Sequence, residues 1–243
     1  MYPDKRYEVP RAGSRIRAGF TLVELLTVIV IIGILAAIII PTAGKVRQSA
    51  RKVTSLSRLR HLGSAFMLYS NDNDGRYPAH EEDPGGRWPL FVAPYAGPWQ
   101  HAWDGNGRLT VTGGSTALYA NPVFRDPAPS PGGGTDSGTF GYNIYLRKDK
   151  NPVVRVTDPS WPGGFPVLAT VGKAGSFTLG NNYPSSRAKE YGWTGNTDDS
   201  TGISPNYGRH ATVLFGDGHV AARDVCNPDA WPWKPKTSFQ VNK

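Results

Sequence analysis

The chain has 243 residues, one cysteine (Cys226) and a formal net charge of +8. A lone thiol excludes an internal disulfide, and no CxxC or Cys/His cluster offers a zinc site. Gly and Pro together (29 + 21) make up about a fifth of the chain, below the level that signals disorder, so a turn-rich folded domain is expected.

The charge is unevenly placed. Residues 1–19 carry Lys5, Arg6, Arg11, Arg15 and Arg17 against Asp4 and Glu8. Residues 41–70 carry Lys45, Arg47, Arg51, Lys52, Arg58 and Arg60 and no acid. From Asn71 onward 16 basic residues balance 16 acidic ones. The C-terminal portion therefore has no broad footprint for a polyanion, and no nucleic-acid partner is expected for it.

Phe20–Ile40 is the first predicted element. Its 21 residues, 15 of them Phe, Leu, Val or Ile, span roughly 32 Å as a helix, enough to cross a hydrocarbon core. Glu24 is the one charge inside it. The apolar residues outweigh an insertion penalty of about 3 kcal/mol, so insertion tolerates the acid without explaining it. An acid at this depth either snorkels to the headgroups or has a partner.

The flanks supply a motif. A short basic stretch ends in Gly19, and Phe20-Thr-Leu-Val-Glu24 follows at once. This resembles the leader of type IV prepilins and type II secretion pseudopilins. The resemblance implies cleavage after Gly19 by a prepilin peptidase on the cytoplasmic side, and N-methylation of Phe20. It also places Glu24 fifth in the mature chain, with Pro41 at a position where many members carry proline. It gives Glu24 an assembly role, pairing with the Phe20 amine of an adjacent subunit. An amine drawn into packed helices needs such a counter-charge. Alternatives are an uncleaved anchor, or a conventional signal peptide, for which Thr42-Ala43-Gly44 is a poor cleavage site. The positive-inside rule, counting +6 after the run and +3 before it, points the opposite way from the leader.

Lys45 to about Tyr69 reads as an amphipathic stem helix. Val46, Val53 and Leu56 are expected on its apolar side, with Leu59, Leu62 and Phe66 drifting round. Pro41 is expected to kink or loosen the helix. Arg47, Arg51 and Arg58 stack on a separate face. That is ordinarily a solvated face; lipid headgroups or a neighbouring subunit are its functional readings. "YSNDNDGRYP" (Tyr69–Pro78) ends the helix, with Gly75 suited to a left-handed cap. Asp72, Asp74, Gly75 and Glu81 also fall at positions 3, 5, 6 and 12 of an EF-hand-like loop. Ser70 is a wrong first ligand and Pro78 sits at position 9, so no cofactor is expected and calcium is a minor alternative.

Beyond it, short strands are expected at Thr139–Leu146, Val153–Thr157, Val167–Val171, Ala211–Phe215 and His219–Asp224. "HEEDPGGRW" (His80–Trp88), Pro127–Gly138 and Thr194–Asn206 read as exposed loops. "RHATVLFGDGHVAARD" (Arg209–Asp224) reads as a tight hairpin. It resembles the His-x9-Asp-Gly end of prepilin-like proteins, to which "FGYNIYL" and "PVLATV" add weaker likeness. The signature is His210, Asp217, Gly218 and His219, but six residues rather than nine separate His210 from Asp217. Asp126, in "VFRDPAP", stands where relatives often carry cysteine. Asp217 accepting turn amides is the plain reading of the hairpin; metal binding or acid–base work by His210, Asp217 and His219 is the rival.

The expected fold is α+β: a long N-terminal helix on a small antiparallel head. The expected parts are a leader (1–19), a transmembrane and assembly helix (20–40), a stem helix (41–70) and a β-rich head (71–243). No catalytic motif appears. The resemblance implies a non-enzymatic filament subunit in the inner membrane, N-terminus cytoplasmic and head periplasmic. Its partners would be other pilin-like subunits, the peptidase/methyltransferase, an assembly platform and the bilayer. The alternative is a membrane-tethered binding module for carbohydrate or polymer, motivated by Trp88, Trp99, Trp103, Trp161 and Trp193 in expected loops. A hydrolase resting on the His/Asp hairpin is a third reading.

Overall fold

The computed structural model describes residues 21–78, 81–82, 86–107, 109–114, 118, 121–128, 140–143, 146, 155–156, 164–171, 178–179 and 203–227. The chain forms two units, Met1–Lys45 and Val46–Lys243. In the first, helix α1 (Leu22–Asp72) begins, and it continues through Pro41 into the second. A proline in a helix loses one backbone hydrogen bond; here the helix carries on past it. No residue of Leu22–Ile40 is buried, and the segment is long and apolar enough to cross a membrane.

The second unit is an α+β head. After α1 come β1 (Glu81–Glu82), β2 (Gly86–Arg87), α2 (Trp88–Ala96), β3 (His101–Trp103), β4 (Leu109–Val111) and a 3-10 turn at Pro122–Phe124. The main sheet contains β5 (Phe140–Asn143), β6 (Pro166–Thr170), β7 (Thr178–Leu179), β8 (His210–Phe215) and β9 (Val220–Asp224). Its order is β7-β5-β6-β8-β9, antiparallel except for the β5–β7 pair. β1–β2 and β3–β4 are separate two-stranded hairpins.

One face of the sheet packs on the later turns of α1. Ser55, Leu59, Leu62, Gly63, Ala65, Phe66 and Ser70 are the buried positions of the helix. Their three-and-four spacing defines one helical stripe. Leu59, Leu62 and Phe66 meet Tyr142, Leu168 and Leu214 of the sheet in one core with Trp88. The other face of the sheet carries Ala169, Ala211, Val213 and Phe215, with Val171, Ile203 and Val225 in the same cluster. Burial on both faces explains why β8 is apolar without strict alternation.

Several expectations are corrected. Val46 and Val53 are 65% and 64% exposed and lie off the packed stripe; packing begins at Ser55. His80–Trp88 contains the β1–β2 hairpin rather than only a loop, and Trp88 opens a helix instead of lying in an exposed loop. Trp88 is fully buried, ringed by Phe66, Phe124 and Tyr142 at centroid distances of 5.5, 5.9 and 6.0 Å. Trp99 is half-buried against Phe124; Trp103 remains exposed. Trp161 and Trp193 lie outside the described residues. The expected strand Thr139–Leu146 is observed over Phe140–Asn143. Of Val153–Thr157 only residues 155–156 are described, and Arg155 bridges to Arg76.

The helix end forms as its residues dictate. The Gly75 amide donates to Ser70 O (2.8 Å), with Asp74 and Gly75 at φ 54° and 76°. Left-handed backbone suits Gly, and is tolerated by Asp. The β8–β9 turn is equally specific. A Cβ at Gly216 would lie 2.3 Å from Phe165 Cε1 and 2.5 Å from its Cζ. Phe165 is buried and its ring packs edge-on to Tyr77 at 5.9 Å. Gly216→Ala is therefore expected to destabilise the head by about 1–3 kcal/mol through overpacking. A thermal melt of the full chain in detergent, equal to that of the parent, would refute this.

Candidate assembly and head sites

Glu24 sits in the first turn of α1. Its Oε2 accepts from the Thr21 amide (2.9 Å) and from Thr21 Oγ1 (2.8 Å), while the Glu24 amide donates to Thr21 Oγ1 at 3.3 Å. This is a reciprocal capping box, Thr21-x-x-Glu24, which satisfies two amides that a helix start leaves orphaned. The spacing is legible in the sequence, and the reading of Glu24 by its depth alone missed it. The carboxylate thus has a partner within its own chain, one residue from Phe20. Gly19 and Phe20 lie outside the described residues.

The signature residues of the hairpin separate into two places. His210 pairs with Asp224 across β8–β9, at the end of the ladder away from the turn. Asp217, Gly218 and His219 form the turn, with Gly218 at φ 85°. No geometry links His210 to Asp217. The bend does not keep Asp217 from His219, however. Asp217 Oδ1 accepts from the His219 amide (3.0 Å) and lies 2.5 Å from its Nδ1. The His219 ring stacks on Phe215 at 4.2 Å. A turn-closing aspartate and a stacked histidine account for the motif structurally.

The loop residues are also dispersed in role. Asp72 Oδ2 accepts from Tyr95 Oη at 2.9 Å, and Asp74 pairs loosely with Arg76 at 3.8 Å. Burial, then the Asp72 bond and charge, push the Tyr95 hydroxyl up to about 12. The backbone of Glu81 lies in β1. Among the described residues no three His, Cys, Asp or Glu side chains gather as a metal site.

One polar centre could not be read from the sequence. Asp126 is fully buried and accepts from Asn206 Nδ2 (2.7 Å) and Tyr207 Oη. Ser55 and the Ala128 amide also donate to it. Ser55 is 2.7 Å from Thr212 Oγ1 on β8, and Arg58 Nη1 donates to Arg125 O at 2.9 Å. The node ties α1, the 125–128 segment, the 203–207 segment and the sheet together. Burial raises the Asp126 carboxyl above the ordinary aspartate range, against the pull of its four donors.

These features define a class: a membrane-type helix with a capped acidic start, continuing into a small α+β head. Residues 14–40 match the family model described as a prokaryotic N-terminal methylation motif. Type II secretion system core protein G of Aeromonas hydrophila is 31% identical over 128 residues, 53% of this chain and 79% of that protein. The protein of the same name from Pectobacterium carotovorum is 39% identical over 72 residues, 30% of this chain and 45% of that one. Type IV major pilin protein PilA of Myxococcus xanthus is 31% identical over 140 residues, 53% of this chain and 63% of that one. No solved structure matches. The chain belongs to the type IV pilin and type II secretion pseudopilin family.

Proposed function

We propose that the chain is a structural subunit of a type II secretion pseudopilus or a related pilus-like filament. It is cleaved after Gly19 and N-methylated on Phe20 by the prepilin peptidase/methyltransferase. It resides in the inner membrane with its head in the periplasm, and joins other pilin-like subunits through an assembly platform. The observation that carries this is the Glu24 carboxylate, held by Thr21 in the first turn of α1 as the one charge of the apolar stretch Leu22–Ile40. Relatives that are a secretion core protein and a major pilin support it. The exposed apolar surface of Leu22–Ile40 suits packing in lipid and then against like helices.

Two functions of Glu24 are separable. Thr21→Val removes the hydroxyl of the capping box but keeps the carboxylate, whereas Glu24→Ala removes both the cap and the counter-charge. If pairing with a neighbour's amine drives assembly, Glu24→Ala abolishes cross-linkable polymers in a host carrying the peptidase. Thr21→Val then retains most of them, its cost limited to about 0.5–2 kcal/mol of helix start. Wild-type levels of polymer from Glu24→Ala would refute the proposed assembly role.

A further inference from the structure

Between Glu24 and Asp72 the chain contains no acidic residue, while Lys45, Arg47, Arg51, Lys52, Arg58 and Arg60 fall in that interval. Among the described residues none of Lys45, Arg47, Arg51, Lys52 or Arg60 forms an ion pair. Arg47, Arg51 and Arg60 are exposed. Arg47 and Arg51, one turn apart, share a face of the helix. Arg58 continues that row and is held by the Arg125 carbonyl.

We infer that this stretch of α1 binds anionic phospholipid headgroups, on the bilayer surface from which the head emerges. Three observations select that partner. The first is position: Arg47 and Arg51 are seven and eleven residues beyond Ile40, about 10–17 Å of helix, within a Debye length of the headgroups. The second is composition: Val46 and Val53 are exposed beside the cations, so apolar and basic side chains are both presented where the helix leaves the hydrocarbon core. The third is charge complementarity. Two copies packed side by side over this interval would present cation to cation, and the chain from Asn71 onward is neutral overall. A negative lipid surface supplies the missing counter-charge and attracts juxtamembrane basic segments. It also accounts for six cations on the side of the membrane where the positive-inside rule does not expect them.

This rests on the membrane-spanning part of the proposed function, not on polymerisation. The test uses the full chain in phosphatidylcholine vesicles containing spin-labelled phosphatidylglycerol or spin-labelled phosphatidylcholine. The readout is the relative association of the two lipids with the protein. The parent chain is expected to prefer phosphatidylglycerol several-fold. Arg47→Gln/Arg51→Gln/Lys52→Gln, or 0.5 M salt (on the order of a 4 Å screening length), is expected to bring the preference close to one. A parent preference near one overturns the inference. So does a triple variant that keeps the parent's preference, or one that loses cross-linkable polymer with its lipid preference unchanged, which would make the face a subunit interface. Lipid preference with no polymer from the parent chain would sink the filament reading and leave this one standing.

Discussion

Trp88→Ala is expected to cost the head about 3–5 kcal/mol, the range for removing a large buried aromatic. Trp88 is fully buried at the start of α2 and packs on rings from α1, β5 and the Pro122–Phe124 turn. Its loss therefore unties three elements at once. A small domain has about 5–15 kcal/mol of stability in all, so the variant should be largely unfolded well below the parent's melting temperature. Denaturant unfolding of the full chain in detergent, followed by near-ultraviolet circular dichroism, measures this. A midpoint within error of the parent would mean that the ring cluster is not the core of the head.

The second large effect is at Asp126. Asp126→Ala leaves the Tyr207 hydroxyl, the Asn206 amide and the Ser55 hydroxyl without their shared acceptor. Ser55 keeps Thr212 Oγ1 as a partner, and each donor left with none costs about 1–3 kcal/mol, so the Tyr207 hydroxyl and Asn206 amide together give an expected loss of about 2–6 kcal/mol. Asp126→Asn keeps the shape and one acceptor oxygen, and an amide flip of Asn206, whose Oδ1 has no partner, preserves a bond between the pair. Its loss should be smaller.

The pH dependence separates the two causes. Burial raises the carboxyl's folded value above its unfolded value of about 3.9. In the window between them the folded state holds a proton that the unfolded state releases. This group's stabilisation is then fully present below about pH 4 and is lost as pH rises through the folded value. Asp126→Asn should remove that decline. An identical slope of stability against pH in parent and Asp126→Asn would show that Asp126 is not its source.

What the sequence disclosed was local. Phe20–Ile40, the Gly75 cap and the β8–β9 hairpin are encoded within short windows by apolar length, a left-handed turn residue and a Gly-Asp-Gly turn. Helix α2 was missed because "WPLFVAPYA" carries Pro89 and Pro94 and lacks a polar face: it is largely buried, so periodicity does not mark it. The helical spacing of Val46 and Val53 suggests a packed face, but spacing does not say where packing against a sheet begins. The Asp126 node was invisible because Ser55, Asn206 and Tyr207 lie about 70–80 positions away and meet only in the fold. The Thr21–Glu24 capping box is the reverse case, a four-residue signal fully present in the sequence.

The central claim is that Glu24 serves a chain that begins at Phe20. The most direct measurement is the N-terminal sequence and intact mass of the protein taken from its native membrane. The prediction is a chain starting at Phe20 and carrying one added methyl group. A chain starting at Met1 would contradict it and leave a plain membrane anchor. A chain starting near Gly44 would contradict it more deeply, because the released head would then lack Glu24 altogether.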